Sequence, residues 1–305
     1  MPVETRADAR KNHAMPARVL IVGASGQVGR LLLDELQSDA SLQVVAASRS
    51  PQARQVFARR GMQAVHLDHA DRASVRAALA GIERVFLCTG YSVDMLVHSK
   101  QLLDLARDAG VRQVVHLGAL GPVDSVLPHF VWHGFVEAYI ERLGFQYTHL
   151  RPRAFMQNVL ASVRPATRTI VHFSGQARIG WIDAGDIARV AAAALRDPQR
   201  HAGMAYPLVE DVCTMDAVAA VAGAQCGVVF TAQARDPGQL LPALLKSGME
   251  PTYAASLASG TVALASDAAA AIDTVHPTVL QVTGKPGVRW PDFASRHVDR
   301  LMGAN

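Results

Sequence analysis

From residue 18 onward, short continuous apolar runs alternate with longer stretches in which apolar positions recur every three to four residues. The runs are "RVLIV" (18–22), "LQVVAAS" (42–48), "QAVHL" (63–67), "RVFLC" (84–88), "RQVVHL" (112–117) and "QYTHL" (146–150). Unbroken runs rich in Val and Leu predict parallel strands covered on both faces, because strands with one wet face would alternate with polar residues. Between them the spacing predicts helices over about 27–38, 51–60, 94–109 and 129–143, one opened by Asp71, and a further helical stretch from about 154. Repeated β-α units of this length close through right-handed crossovers and predict an α/β fold with a doubly wound parallel sheet.

The pattern loosens after about residue 200. "CGVVFT" (226–231) reads as a strand, whereas "PGQLLPALLKSG" (237–248) and "PDFASRHVDRLM" (291–302) read as helices, the latter with Pro291 near its first turn. No Gly/Ser linker separates the halves. The expected organisation is a polar, disordered tail over 1–17, a nucleotide-binding domain over 18–200, and a smaller α+β substrate lobe over 201–305 packed on the same core.

The first strand runs into "GASGQVG", with Gly23, Ala24, Ser25, Gly26, Gln27, Val28 and Gly29, and then directly into a helix. Glycines let the backbone take positive φ and approach a ligand closely. A helix start presents free N–H groups and a positive dipole end to an anion. The stretch is therefore a candidate phosphate cradle, the alternative being a purely structural turn. NAD-specific sites place a carboxylate at the end of the second strand for the ribose hydroxyls. Here that strand ends in Ser48, Arg49 and Ser50. An arginine among hydroxyls suits a 2′-phosphate, so NADP(H) is expected over NAD(H), unless Arg49 is only a loop charge. Asp68, after the third strand, could accept from the adenine amino group or cap the next helix, although Asp71 is better spaced for the cap.

Composition narrows the remaining classes. Half the 305 residues are apolar, the net charge is +4, and the basic residues form no Lys/Arg block. That balance reads as a solvated basic surface on a globular protein, with no nucleic-acid partner expected. Cys88, Cys213 and Cys226 are odd in number and widely spaced, so a reducing, cytoplasmic setting is expected and no disulfide framework. His66, Asp68 and His69 lack the spacing of a metal site, and no metal is expected. No run is apolar for long enough to span a bilayer. The partner expected is a small-molecule substrate, with the chain a monomer or homodimer.

The order "GASGQVG", "SRS", "HLDHAD", "VFLCTG" resembles the short-chain dehydrogenase/reductase superfamily. "HLGALGP", "HFVWHGFVEAYIERLGFQYTHLRPRAFMQN", "WIDAGDIARVAAAAL" and "VTGKPGVRWPDFASRH" further resemble its atypical NmrA-like branch, over nearly all of residues 18–302. The resemblance implies a Rossmann fold and an NAD(P)H-dependent reductase of quinones or related acceptors, or a protein that binds NADP(H) without turnover.

The superfamily's usual Ser and Tyr-x-x-x-Lys are missing. The five tyrosines are followed at the fourth position by Met95, Leu143, Arg151, Glu210 and Leu257, and the position that carries Ser in many relatives is Gly118. The resemblance instead points to His133, fourteen residues before Tyr147, where relatives carry Lys or His. An imidazole there could bond the nicotinamide ribose or give a proton to a reduced oxygen, or merely fix a helix end. His129 is a weaker candidate on the same helical face. Thr89 and Gly90 should meet the cofactor at the carboxyl edge of the sheet. Tyr91, Trp132, Arg153, Phe155 and Met156, with Phe130, are expected to wall a substrate pocket, core packing being the competing role for the apolar ones. Arg153 could instead meet an acidic substrate or an ion-pair partner, and Gln157 and Asn158 should be structural. Hydride transfer to an electron-poor acceptor needs little beyond positioning, so the lost triad leaves a reductase possible. The second expectation is a non-catalytic NADP(H)-binding redox sensor.

Overall fold

The computed structural model describes residues 15–122, 124–266 and 274–304. The tail expected over 1–17 lies outside the described residues except for its last three, of which Ala17 already opens the first strand. Seven strands form one parallel sheet: β1 (Ala17–Ile21), β2 (Leu42–Ser48), β3 (Gln63–His66), β4 (Arg84–Cys88), β5 (Gln113–Leu117), β6 (Gln146–Pro152) and, later in the chain, β11 (Met204–Leu208). Their order is β11-β6-β5-β4-β1-β2-β3, so the winding reverses between β1 and β4. The carboxyl edge at such a reversal is where ligands bind in open α/β sheets.

Each crossover carries a helix: α1 (Gln27–Leu36), α2 (Pro51–Arg59), α3 (Arg72–Ala78), α4 (Met95–Asp108) and α5 (Pro128–Arg142). Successive strand residues point to opposite faces, and each face has its own core. Val19, Ile21, Phe86, Val115 and Leu150 pack under α1 and under α7 (Ala184–Arg196). Leu20, Val22, Val85, Leu87 and Val114 pack under α3, α4 and α5. This two-sided burial explains why the strands read as unbroken apolar runs.

Between β6 and α7 the chain forms β7 (Ala154–Phe155), α6 (Gln157–Ser162), β8 (Val163–Arg164), β9 (Thr169–His172) and β10 (Ile179–Ile182). After α8 (Pro198–His201) and β11 come β12 (Asp211–Cys213), α9 (Met215–Cys226), β13 (Thr231–Ala234), α10 (Leu240–Lys246) and α11 (Pro251–Ser266). The described chain closes with α12 (Thr278–Thr283), α13 (Trp290–Arg296) and α14 (Val298–Met302). Two three-stranded sheets, β12-β10-β7 and β13-β9-β8, are built from these pieces. A third core joins Met156, Val159, Ile170 and Trp181 to Met215, Phe230, Trp290 and Phe293. The chain thus enters this third core at residue 156 and returns to the large sheet at β11.

Two sequence expectations are corrected here. Of the strand expected over 226–231, Cys226 is the last residue of α9, Gly227 closes that helix in the left-handed region (φ 67°), and pairing begins only at Thr231. The apolar run follows a helix stop signal, which takes precedence over it. The helical stretch expected from about 154 begins with the short β7, which pairs with β10, and turns helical at Gln157.

Candidate active site

Gly23 leaves β1 at φ 76° and lies so close to β4 that an added Cβ would stand 3.0 Å from Cβ of Cys88. Gly26 is the N-cap of α1, with no side chain capping that end. At Gly29 a Cβ would come within 2.2 Å of the Gly23 carbonyl oxygen and 2.8 Å of Cα of Ala24. The glycine there is what lets the first turn of α1 rest on the strand exit. The N–H groups of Gln27, Val28 and Gly29, in that first turn, have no intrahelical acceptor. Buried Nε2 of Gln27 also lacks a partner. An uncapped helix start, an orphaned amide and a backbone cleared of side chains fit the pyrophosphate of a dinucleotide.

At the end of β2 the Ser48 hydroxyl accepts from the Ser50 N–H (3.2 Å), and the Ser50 hydroxyl caps α2 by accepting from the Ala53 N–H (3.2 Å). Nη1 of Arg54 donates to the carbonyls of Ser48 (2.9 Å) and Arg49 (2.8 Å), so this unanticipated residue stiffens the turn. The Arg49 side chain is exposed and in no ion pair among the described residues. Asp68 accepts from the Ala70 N–H (3.0 Å), while Asp71 caps α3 through the Ala73 N–H (2.9 Å). Of the two roles left open for Asp68, the helix cap therefore falls to Asp71. His66 faces Arg54, whereas the His69 ring stacks on His98 with centroids 5.1 Å apart.

Further along the carboxyl edge, Thr89, Gly90 and Tyr91 follow β4, as the run predicted. Tyr91 meets the buried Tyr253 of α11 edge-on at 5.6 Å, and Tyr253 lies against Trp132 at 5.8 Å. Glu250 accepts from the N–H groups of Thr252 (2.7 Å) and Tyr253 (2.9 Å), fixing the start of α11 beside that edge.

His133 is buried on α5, and its Nδ1 has no partner. Burial, and then the nearby His129, push its pKa down to about 4. The ring is therefore neutral near pH 7: it can donate or accept a hydrogen bond, but it holds no readily released second proton. Behind it lie His116 (centroids 5.6 Å) and His149, which is 5.7 Å from His116. Neither ring nitrogen of His116 has a partner. Glu137, one turn beyond His133, accepts from Nε (3.1 Å to each oxygen) and Nη2 (2.5 Å) of Arg151 on β6. His116, Glu137 and His149 bring ligand-type atoms within 4.8 Å of one another, but Glu137 is already held by that guanidinium. Gly118 adjoins the group, and a Cβ there would stand 2.9 Å from Oε1 of Glu137 and 3.3 Å from the His116 ring. The space that a serine would need is filled.

A cavity of about 330 Å³ opens beyond the ends of β5 and β6, lined by Leu120, His129, Phe130, Arg153, Leu257 and Leu264 among others. The His129 ring lies over Phe130 with centroids 3.8 Å apart, and the Arg153 guanidinium stands 5.3 Å from the Phe130 ring. Asn158 lines the same space, whereas Gln157 is structural, bonding Asp183 (2.9 Å) and the Ala184 N–H (3.1 Å). Of the expected pocket walls, Arg153 and Phe130 are on this cavity. Met156 is fully buried in the third core, because it directly precedes α6 and faces the lobe. Phe155, half-buried, packs against the first core and Trp132, also half-buried, against the second. The roof, α11, escaped the sequence reading: its Ala, Ser and Leu residues are spread around the helix and give no amphipathic signal. A wider depression of about 650 Å³, near Arg164, Thr169 and Arg235, contains none of the predicted site residues.

Known proteins share the sequence pattern and fold of this chain. An NAD(P)H azoreductase of Xenophilus azovorans is 31% identical over 92% of this chain and 97% of its own. Quinone oxidoreductase 2 of Escherichia coli (strain K12) is 30% identical over 80% of this chain and 87% of its own. The solved structure of an NADPH-dependent quinone oxidoreductase from Escherichia coli, complexed with NADPH, superposes with a TM-score of 0.77 at 26% identity, over 91% of this chain and 99% of that one. NmrA, a negative transcriptional regulator solved with NADP, shares the fold alone, at 15% identity and a TM-score of 0.72 over 92% and 95% of the two chains. The model of the NmrA-like family matches residues 15–282, and the chain belongs to that family.

Proposed function

We propose that the protein is an NADPH-dependent reductase that passes hydride to a small, largely apolar acceptor such as a quinone or conjugated carbonyl. That it is an NAD(P)H-dependent oxidoreductase follows from kinship with reductases over nearly its whole length. The acceptor class rests on one observation: an apolar, aromatic-lined cavity shares the carboxyl edge of the sheet with the glycine cradle.

The bound dinucleotide supplies the hydride. The protein's own groups do the rest: the 23–29 turn holds the pyrophosphate, and Ser48 with Arg49 receives the 2′-phosphate. Thr89, Gly90 and the neutral His133 position the nicotinamide end, and α5 with α11 keeps water from the acceptor. Each turnover moves two electrons and one hydrogen as hydride, and takes one proton from solvent. Because His133 is neutral, its part is to orient through a hydrogen bond.

Purified protein is expected to oxidise NADPH with members of a quinone panel, and Arg49→Ala should lower kcat/KM for NADPH at least tenfold more than for NADH. His133→Ala should reduce kcat more than it weakens NADPH binding. Absence of turnover with every acceptor, together with a strong preference between NADP⁺ and NADPH in binding, would favour the redox-sensor reading, which the missing Ser and Tyr-x-x-x-Lys keep open. An Arg49→Ala substitution that lowers kcat/KM for NADPH and for NADH by the same factor, leaving the ratio between them unchanged, would remove the basis for NADPH preference.

A further inference from the structure

Arg153 is a cation without a counter-ion among the described residues. Its guanidinium lines the 330 Å³ cavity, faces the Phe130 ring at 5.3 Å, and makes one long hydrogen bond, 3.3 Å, to the Leu120 carbonyl. Among the described residues no carboxylate lies within ion-pair distance of it, and none lines the cavity. Arg151, two residues earlier on the same strand, is by contrast fully matched by Glu137. The other titratable group on the wall, His129, has its pKa pushed down to about 4, chiefly by burial and then by Arg153 itself, and adds no charge near pH 7. The rest of the lining is mainly Ala, Leu, Pro and Ile.

Holding a guanidinium among apolar side chains is unfavourable unless something supplies the opposite charge, and a planar donor fork matches a planar or tetrahedral oxyanion. The cofactor's pyrophosphate is not that anion. Its cradle lies at β1, while Arg153 follows β6, three strands away in the order β6-β5-β4-β1. At about 4.8 Å per strand this is roughly 14 Å. The cavity is large enough for one or two rings, being near the lower end of the usual 300–1,000 Å³ range for ligand pockets. Phe130 and the neutral His129 supply flat surfaces for stacking beside the cation.

We infer that this cavity takes an aromatic acceptor carrying a carboxylate or sulfonate, and that Arg153 is the residue that selects it. The acceptor's ring lies along Phe130, its acidic group pairs with the guanidinium, and its electron-poor end is directed toward the nicotinamide side of the sheet edge. The inference deepens the reductase reading and rests on it for the word acceptor. The anion site itself stands without turnover.

Two measurements separate those claims. In the first, 1,2-naphthoquinone and 1,2-naphthoquinone-4-sulfonate are compared as acceptors in the wild type and in Arg153→Met and Arg153→Lys. The ratio of kcat/KM for the sulfonated over the uncharged quinone should fall at least tenfold in Arg153→Met and less in Arg153→Lys, which keeps the charge but not the fork. In the second, the redox-inert naphthalene-2-sulfonate is titrated into the same proteins in the presence of NADP⁺ and followed by calorimetry. Its Kd should rise at least tenfold in Arg153→Met, and should rise with salt in the wild type. Sulfonate binding that depends on Arg153 without turnover of either quinone would sink the reductase reading and leave the anion site standing. A selectivity ratio unchanged in both variants, or sulfonate binding indifferent to residue 153, would overturn the inference.

Discussion

Arg151 grips Glu137 from β6 with both Nε and Nη2, at 2.5–3.1 Å, and so anchors α5 to the sheet one helical turn beyond His133. The carboxylate is buried, whereas 38% of the Arg151 side chain is exposed. Removing the acid leaves a guanidinium that water reaches only in part, so the loss should be milder than for a wholly buried pair. Glu137→Ala is expected to destabilise the fold by about 2 kcal/mol. It should also lower kcat, because the helix carrying His133 loses its tether. Thermal unfolding and steady-state kinetics of Glu137→Ala and Glu137→Gln check this. A variant as stable and active as the wild type would show the pair to be incidental.

Gly29 tests the cradle. A methyl group would stand 2.2 Å from a backbone oxygen that has no freedom to move aside, so α1 must shift away from the exit of β1. Gly29→Ala should destabilise by about 1–3 kcal/mol, as overpacking does. It should also weaken dinucleotide binding at least tenfold, since the helix start that faces the pyrophosphate is displaced. Calorimetric titration with NADP⁺ reads the second effect. Unchanged affinity would mean that the pyrophosphate sits elsewhere.

The buried histidines predict an acid limb to stability. His129, His133 and His149 have pKa values lowered by burial to about 4, and that of His116 lies well below 6.5. The unfolded chain takes up protons near 6.5 that the folded chain refuses, so stability is full above that pH and is lost as the pH falls from about 6.5 toward 4. One ring such as His133 contributes about 3 kcal/mol of that loss. His116, fully buried with neither nitrogen bonded, can be replaced by an apolar ring of similar shape. His116→Phe should therefore flatten the acid limb and leave stability at pH 8 unchanged or raised by about 1 kcal/mol. Denaturant unfolding between pH 4.5 and 8 measures both. A midpoint constant over that range in the wild type would refute the assignment of neutral buried rings.

What could be read from the chain depended on how local its cause was. The glycine turn, the Asp71 cap and the six apolar strands are set by residues within a few positions of one another, and each stands where the pattern put it. The strand expected at 226–231 failed for a local reason too, since Gly227 as a helix stop outranked the apolar residues after it. Met156 could not be separated from its neighbours by sequence, because Ala154 and Asn158, two residues to either side, line the cavity while Met156 turns into the third core. The Glu137–Arg151 pair joins positions fourteen residues apart across a helix and a strand, and nothing in the linear pattern marks it. The roof by α11 was illegible for want of periodicity, and with it the enclosure of the cavity.

Gly118 carries a consequence for how this chain can change. Its lack of a side chain is matched by the carboxylate and imidazole that lie against it, with Glu137 Oε1 only 2.9 Å from where a Cβ would be. A serine there would need the Oε1 end of the Glu137 side chain to shift and the His116 ring to give slightly. The hold of Arg151 on Glu137 therefore also sets how far any side chain at residue 118 could project toward α5.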